Sequence, residues 1–125
     1  MKQKLAILLW ATDPATADRC ATPFFHAAAA GAMDVEVEMY FTARSVLLLA
    51  PGAASRIFAG QQQTTSIGDH MRQASEHGVR FFACQDALTA HGMVAQPLIE
   101  DVSGYGGATA FIARALDPEW ATLVY

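Results

Sequence analysis

The chain has 125 residues, of which 53% are hydrophobic and only 16% charged, with a formal net charge of -4. A single domain of this length, residues 1–125, buries about two-thirds of its unfolded surface in one core, and its eight Lys and Arg are scattered without a basic stripe, which argues against nucleic acid as a partner. Against roughly 25% charged residues in an average soluble domain, ionic groups are too few to cover a small particle, so an apolar face is expected to be buried against other subunits.

The N-terminus, MKQKLAILLWATDPATA, has the lysines, short apolar run and small residues of a signal peptide. Only Leu5 to Ala11 is continuously apolar, however, and Asp13-Pro14 interrupts the approach to any cleavage site, so the run reads as a first, central strand, Leu5 to Trp10. No stretch approaches the ~18 apolar residues of a membrane span. With two cysteines ruling out a disulfide framework, the expectation is a cytoplasmic protein without membrane partners.

After the Asp13-Pro14 turn, Ala15 to about Met33 is helical in pattern, with Ala17, Cys20, Ala21, Phe24 and Ala28 on one face. Pro23 should kink this helix or mark a restart capped by Thr22. Val35 to Phe41 alternates, Val35, Val37, Met39 and Phe41 against Glu36, Glu38 and Tyr40, as expected of a strand with one wetter face. Thr42 to Leu49 reads as a short helix and Pro51 to Thr65 as a loop. Ser66 and Asp69 have the spacing of a capping box, opening a helix that Gly78 closes. Val79 to Ala83 is the next strand, and Gln85 to His91 a helix ended by Gly92. A short strand near Ile99 to Val102, the GYGG turn of Gly104 to Gly107, a helix from Ala108 to Leu116 and a last strand, Ala121 to Tyr125, complete the chain. Strands alternating with helices predict a mostly parallel sheet covered on both sides.

In such a sheet ligands sit beyond the carboxyl ends of the strands, and Cys84 stands at one of those ends. A helix starting at Gln85 would also present its unpaired N–H groups to the sulfur, which favours a thiolate, although Asp86 competes for the same dipole. A buried cysteine acting as a small hydrophobe is the competing explanation, and Cys20, on the apolar helix face, fits it well. Spacing excludes several thiol chemistries. A C-x5-R phosphatase loop needs arginine where Ala90 stands, disulfide exchange needs a second cysteine where Ala87 stands, and QDALTA holds no arginine for a rhodanese-like loop.

Histidine partners for Cys84 are limited by distance. His91 lies roughly 10 Å up the helix axis, and His77 about 20 Å away at the far end of the strand. His26 is well into the first helix, which leaves His70 as the one candidate. Cys20 and His26 are six apart and face different ways, so no zinc set and no metal is expected. GYGG lacks the third glycine of a dinucleotide fingerprint, because Thr109 occupies it, and no cofactor is expected.

The order LAILLWATDPATADRCATPFFHAAAAGAMDVEVEMYFT, GVRFFACQDALTAHGM and PLIEDVSGYGGATAFIARALDPEWATLVY resembles the DsrE/DsrF-like family of small sulfur-relay proteins over almost the whole length. The resemblance rests on the Asp13-Pro14 turn, the proline-bearing helix leading into VEMYFT, the Cys84-Gln85 step and the GG-helix-strand ending. It implies a three-layer α/β/α fold with a five-stranded, largely parallel sheet, assembly as homotrimers or homohexamers, and a persulfide carried at the position matching Cys84 between a sulfur donor and an acceptor protein. Many family members have a Gly-Asp-Gly-like turn after the second strand, where Ala43-Arg44-Ser45 stands here. Arg44 should lie on the same edge as Cys84, where a fixed cation would stabilise a sulfur anion. Thr12, Asp13, Gln85, Gly104, Tyr105 and Gly106 form the expected rim of the crevice. Two functions are therefore expected to compete: persulfide carriage through Cys84, and a non-catalytic oligomeric binding module in which the crevice holds a small ligand or partner and Cys84 is incidental.

Overall fold

In a computed structural model, residues 3–61 and 63–125 are described. Five strands, β1 (Lys4–Leu9), β2 (Glu36–Phe41), β3 (Arg80–Ala83), β4 (Val102–Tyr105) and β5 (Trp120–Val124), form one sheet in the order β4-β3-β2-β1-β5. Every neighbouring pair is parallel. The helices are α1 (Ala21–Ala32), α2 (Ile67–Glu76), α3 (Gln85–Ala90) and α4 (Ala108–Ala115). The expected α/β architecture with a five-stranded parallel sheet is therefore found.

Alternation along the strands divides the core. Ile7, Leu9, Val37, Met39, Phe41, Phe81 and Ala83 point to one face, where Phe24 and Ala27 of α1, Ile67 and Met71 of α2 and Leu88 of α3 bury them. Phe24, Phe41 and Phe81 form an aromatic trio with centroids 5.3 to 6.1 Å apart. The opposite face is covered by α4, whose Phe111 packs with Ala6, Tyr40 and Trp120. A large core thus fixes the sheet, and a thin second layer leaves part of the other face accessible.

Four sequence expectations are corrected. The first helix does not run from Ala15: a turn and a 3-10 segment, Ala17–Arg19, precede α1, whose N-cap is Cys20 rather than Thr22. Pro23 lies in the first turn of α1, where its missing N–H would have had no helical partner. The strand expected at Ile99 to Val102 begins where that range ends, so Gly104 and Tyr105 belong to β4 and the turn is reduced to Gly106-Gly107. The loop after Pro51 contains a short 3-10 segment, Ala54–Arg56. Finally, β2 has no wet face beyond Glu36, because it sits in the middle of the sheet and Glu38 and Tyr40 are buried.

A carboxylate at that depth requires partners, and Glu38 has three. Arg114 donates to both its oxygens at 2.8 and 3.2 Å, Arg80 at 2.9 Å, and the Tyr40 hydroxyl at 2.6 Å. Burial pushes the carboxyl up, but the bonds from Arg114 and Tyr40 and the two guanidinium charges outweigh it and hold Glu38 below its ordinary value. The same burial, with the Glu38 carboxylate beside it, pushes the Tyr40 phenol up to about 12. Arg114 also lies 4.2 Å from the Trp120 ring centroid, so this network clamps α4 to the sheet.

The remaining boundaries follow their local signals. Ser66 and Asp69 form the reciprocal capping box that opens α2. The 3-10 helix Ala43–Leu49 follows β2, and its buried Ser45 hydroxyl lies 2.7 Å from both the Leu9 and Thr42 carbonyls, tying the carboxyl ends of β1 and β2 together.

Candidate active site at the carboxyl edge of the sheet

Cys84 extends β3 by one residue, its N–H donating to the Phe41 carbonyl at 2.9 Å, and it is also the N-cap of α3. Its extended backbone sends the chain from strand to helix while the side chain stays half-buried. The turn after β4 passes directly over it. Gly106 donates to the Ala83 carbonyl at 3.0 Å, and Gly107 is the N-cap of α4. A methyl group at Gly107 would stand 3.6 Å from the Cys84 sulfur, and one at Gly106 would stand 2.9 Å from Tyr40 Cε1. The glycine pair therefore lets the backbone approach both the thiol and the Tyr40 ring.

No side chain caps α4. Its first N–H groups carry the partial positive charge of a helix N-terminus, and the Cys84 sulfur stands 3.6 Å from where a Cβ on the N-cap Gly107 would lie, while Cys84 is itself the N-cap of α3.

Together these elements enclose a cleft of about 830 Å³ that crosses the sheet from Leu8 through Tyr40, Thr42 and Cys84 to Tyr105, roofed by the first turns of α4. Of the residues expected at the site, Cys84, Gln85, Tyr105 and Gly106 line this cleft, while Thr12, Asp13, Arg44 and Gly104 do not. Thr12 is buried. Arg44 is paired instead with the Asp13 carboxylate, to which its Nε donates at 2.8 Å. Asp13 is held below its ordinary value by the Ala15 N–H first and then by Arg44, so this pair closes the β1 turn.

None of the four histidines lines the cleft. His26 bonds the Tyr125 hydroxyl, the His77 Nδ1–H donates to the Gln73 carbonyl at 2.8 Å, and His70 lies edge-on to Phe25 at 4.6 Å. Among the described residues no cluster of three His, Cys, Asp or Glu is placed to hold a metal. Cys20 contrasts with Cys84: it is fully buried, its thiol donates to the Asp13 carbonyl at 3.3 Å, and burial followed by the nearby Asp13 charge pushes it up.

The strand-Cys-helix step, the Gly-Gly turn and α4 lie in one continuous frame, and a model of the DsrE/DsrF-like family matches that frame over residues 4–123. The chain belongs to this family. Two solved structures share its fold. The ychN protein from E. coli superposes with a TM-score of 0.76 over 100% of both chains at 14% identity. The protein of unknown function MTH1491 from Methanobacterium thermoautotrophicum superposes with a TM-score of 0.66 over 99% of this chain and 100% of its own, at 20% identity. No curated protein sequence matches significantly. Within this DsrE/DsrF-like frame, the residues that sequence reasoning missed are Leu8, Tyr40, Thr42 and the first turns of α4. Their signal was present in part, since a Gly-Gly pair ahead of a helix places that helix's N-terminus over the sheet edge.

Proposed function

We propose that the protein is a persulfide carrier of a sulfur relay, with Cys84 as the acceptor. The observation that carries this reading is the position of the Cys84 sulfur, open to the cleft and beside the N-termini of both α3 and α4. Membership of a family linked to sulfur relay supports it. In the forward step the Cys84 thiolate attacks the outer sulfur of a donor persulfide R–S–SH; a new S–S bond forms, the donor S–S bond breaks, and R–S⁻ leaves. Cys84 then holds S–SH, and an acceptor thiolate takes the outer sulfur in a second exchange of the same kind. Sulfur oxidation states balance without an external oxidant, and the two helix N-termini stabilise the anion that Cys84 presents before and after each exchange.

The test is to incubate the native protein with a low-molecular-weight persulfide and map the product by mass spectrometry. One added sulfur is expected on the Cys84 peptide, lost in Cys84→Ser and retained in Cys20→Ser. Sulfur on Cys20, or on neither cysteine, sinks the carrier reading and leaves a binding module.

The carrier is further proposed to work as a homotrimer or homohexamer in the cytoplasm, with sulfur donor and acceptor proteins as partners. Leu116 of α4 is 79% exposed, and the adjoining edge strand β5 exposes Leu123 and Val124 without a charged side chain to protect its edge. No helix among the described residues is long and apolar enough to cross a membrane. Light scattering should give a mass at least three times the 13.4 kDa of one chain, and a monomer at micromolar concentration would remove the assembly.

A further inference from the structure

The walls of the cleft restrict what can approach Cys84. Leu8, Phe111 and Ile112 make one end apolar, and the Tyr40 and Tyr105 rings add to its surface. Among the lining residues Asp86 is the one Asp, Glu, Lys or Arg, and its charge is negative. Arg44 pairs with Asp13, Arg80 and Arg114 pair with Glu38, and none of the three lines the cleft. A volume of about 830 Å³ lies in the range of sites for organic ligands, and a small inorganic sulfur anion would leave most of it empty.

Backbone dipoles do supply positive potential, roughly half a charge at the start of α4. The Cys84 sulfur lies close to the N-cap of α4, 3.6 Å from where a Cβ on Gly107 would stand. An anion bound in the cleft would face the Asp86 carboxylate, with no Lys or Arg among the lining residues to offset it.

We infer that the cleft selects sulfur compounds bearing an apolar alkyl or aryl substituent and no net negative charge, with the substituent against Phe111 and Ile112, and that Asp86 sets the discrimination against anions. The sulfur chemistry of these compounds rests on the carrier reading. The shape and charge of the cleft do not.

Maleimide alkylation of Cys84 reads the cleft without any sulfur transfer. Rates for N-benzylmaleimide and 3-maleimidopropionate are measured on the native protein, assigned to the Cys84 peptide, and divided by the rates on the chain unfolded in denaturant. The normalised preference for the benzyl reagent should be at least about tenfold, as burial of a ring implies. Ile112→Glu should remove most of it, and Asp86→Lys should raise the propionate rate about fivefold. Both positions are exposed, so neither change removes core packing. A native ratio equal to that of the unfolded chain, or a ratio that neither variant moves, overturns the inference. A second arm compares loading by benzyl persulfide and glutathione persulfide. If the maleimide preference holds while neither persulfide loads Cys84, the carrier reading fails and the selectivity of the cleft stands. If both persulfides load equally and the maleimides are not distinguished, the selectivity fails and the carrier stands.

Discussion

Replacing Arg114 by methionine is expected to lower the unfolding free energy by about 3 kcal/mol at neutral pH, the lower end of what breaking a buried ion pair costs. The lower end applies because Arg80 still reaches Glu38 at 2.9 Å. Methionine keeps an apolar stem over Trp120, so the loss reports the charge rather than the packing. On a chain of this size it corresponds to a fall in melting temperature of about 10 °C. The pH dependence has a fixed sign. Glu38 is held below its ordinary carboxylate value, 4.5, so the stability it contributes is fully present above that value and is lost as pH falls through the lower folded value. The gap between wild type and Arg114→Met should therefore narrow as pH falls below about 4.5 and the stranded carboxyl takes a proton. Urea titrations at neutral pH and at acid pH check both parts, and a gap that is small at neutral pH or grows on acidification contradicts this account of the clamp.

Glu38 also shows what the sequence did not disclose. Strict alternation in EVEMYF is the pattern of a half-exposed strand, and local periodicity cannot report which strands will flank it. The partners of Glu38 come from Arg80, 42 residues on, and Arg114, 76 residues on. The continuous run KLAILL carried no such ambiguity, and β1 sits in the sheet interior between β2 and β5. Helix boundaries were legible where side chains cap them, as at Ser66 and Asp69. They were missed where proline and a 3-10 turn divide a continuous small-residue pattern, as before α1.

At the site, the legible part was again local. Cys84 ends an apolar run and precedes a helix, which is enough to put it on the carboxyl edge. The pairing of Asp13 with Arg44 was not legible, because both residues end segments on that edge and only their orientation separates them from the cleft. The second helix N-terminus was concealed for a different reason. Reading GYGG as one turn hid the fact that β4 uses Gly104 and Tyr105, leaving Gly106-Gly107 to carry the chain over the sulfur.

Gly31→Ala should destabilise the protein by about 2 kcal/mol, the typical cost of overpacking a close contact, although helix propensity taken alone would favour alanine by up to about 1 kcal/mol. Gly31 lies near the end of α1, and a Cβ there would stand 2.5 Å from the His77 carbonyl oxygen and 3.0 Å from His77 Cβ. The obstacle is backbone, so no side-chain rotation relieves it. That backbone is also fixed: the His77 N–H donates to the Ala74 carbonyl at 3.0 Å, the Gly78 N–H to Ser75 at 3.0 Å, and the Val79 N–H to Ala74 at 3.2 Å, just where the chain enters β3. Relief must separate α1 from α2, and that loosens the contacts of Phe24 and Ala27 with the large core. Gly78→Ala provides a comparison, since its added methyl meets nothing within 4 Å and its cost of about 1 kcal/mol comes only from the left-handed backbone at φ +84°. Urea denaturation should move the Gly31→Ala midpoint further than that of Gly78→Ala with an unchanged slope. A Gly31→Ala protein as stable as wild type would mean that the two helices do not approach as closely as this packing requires.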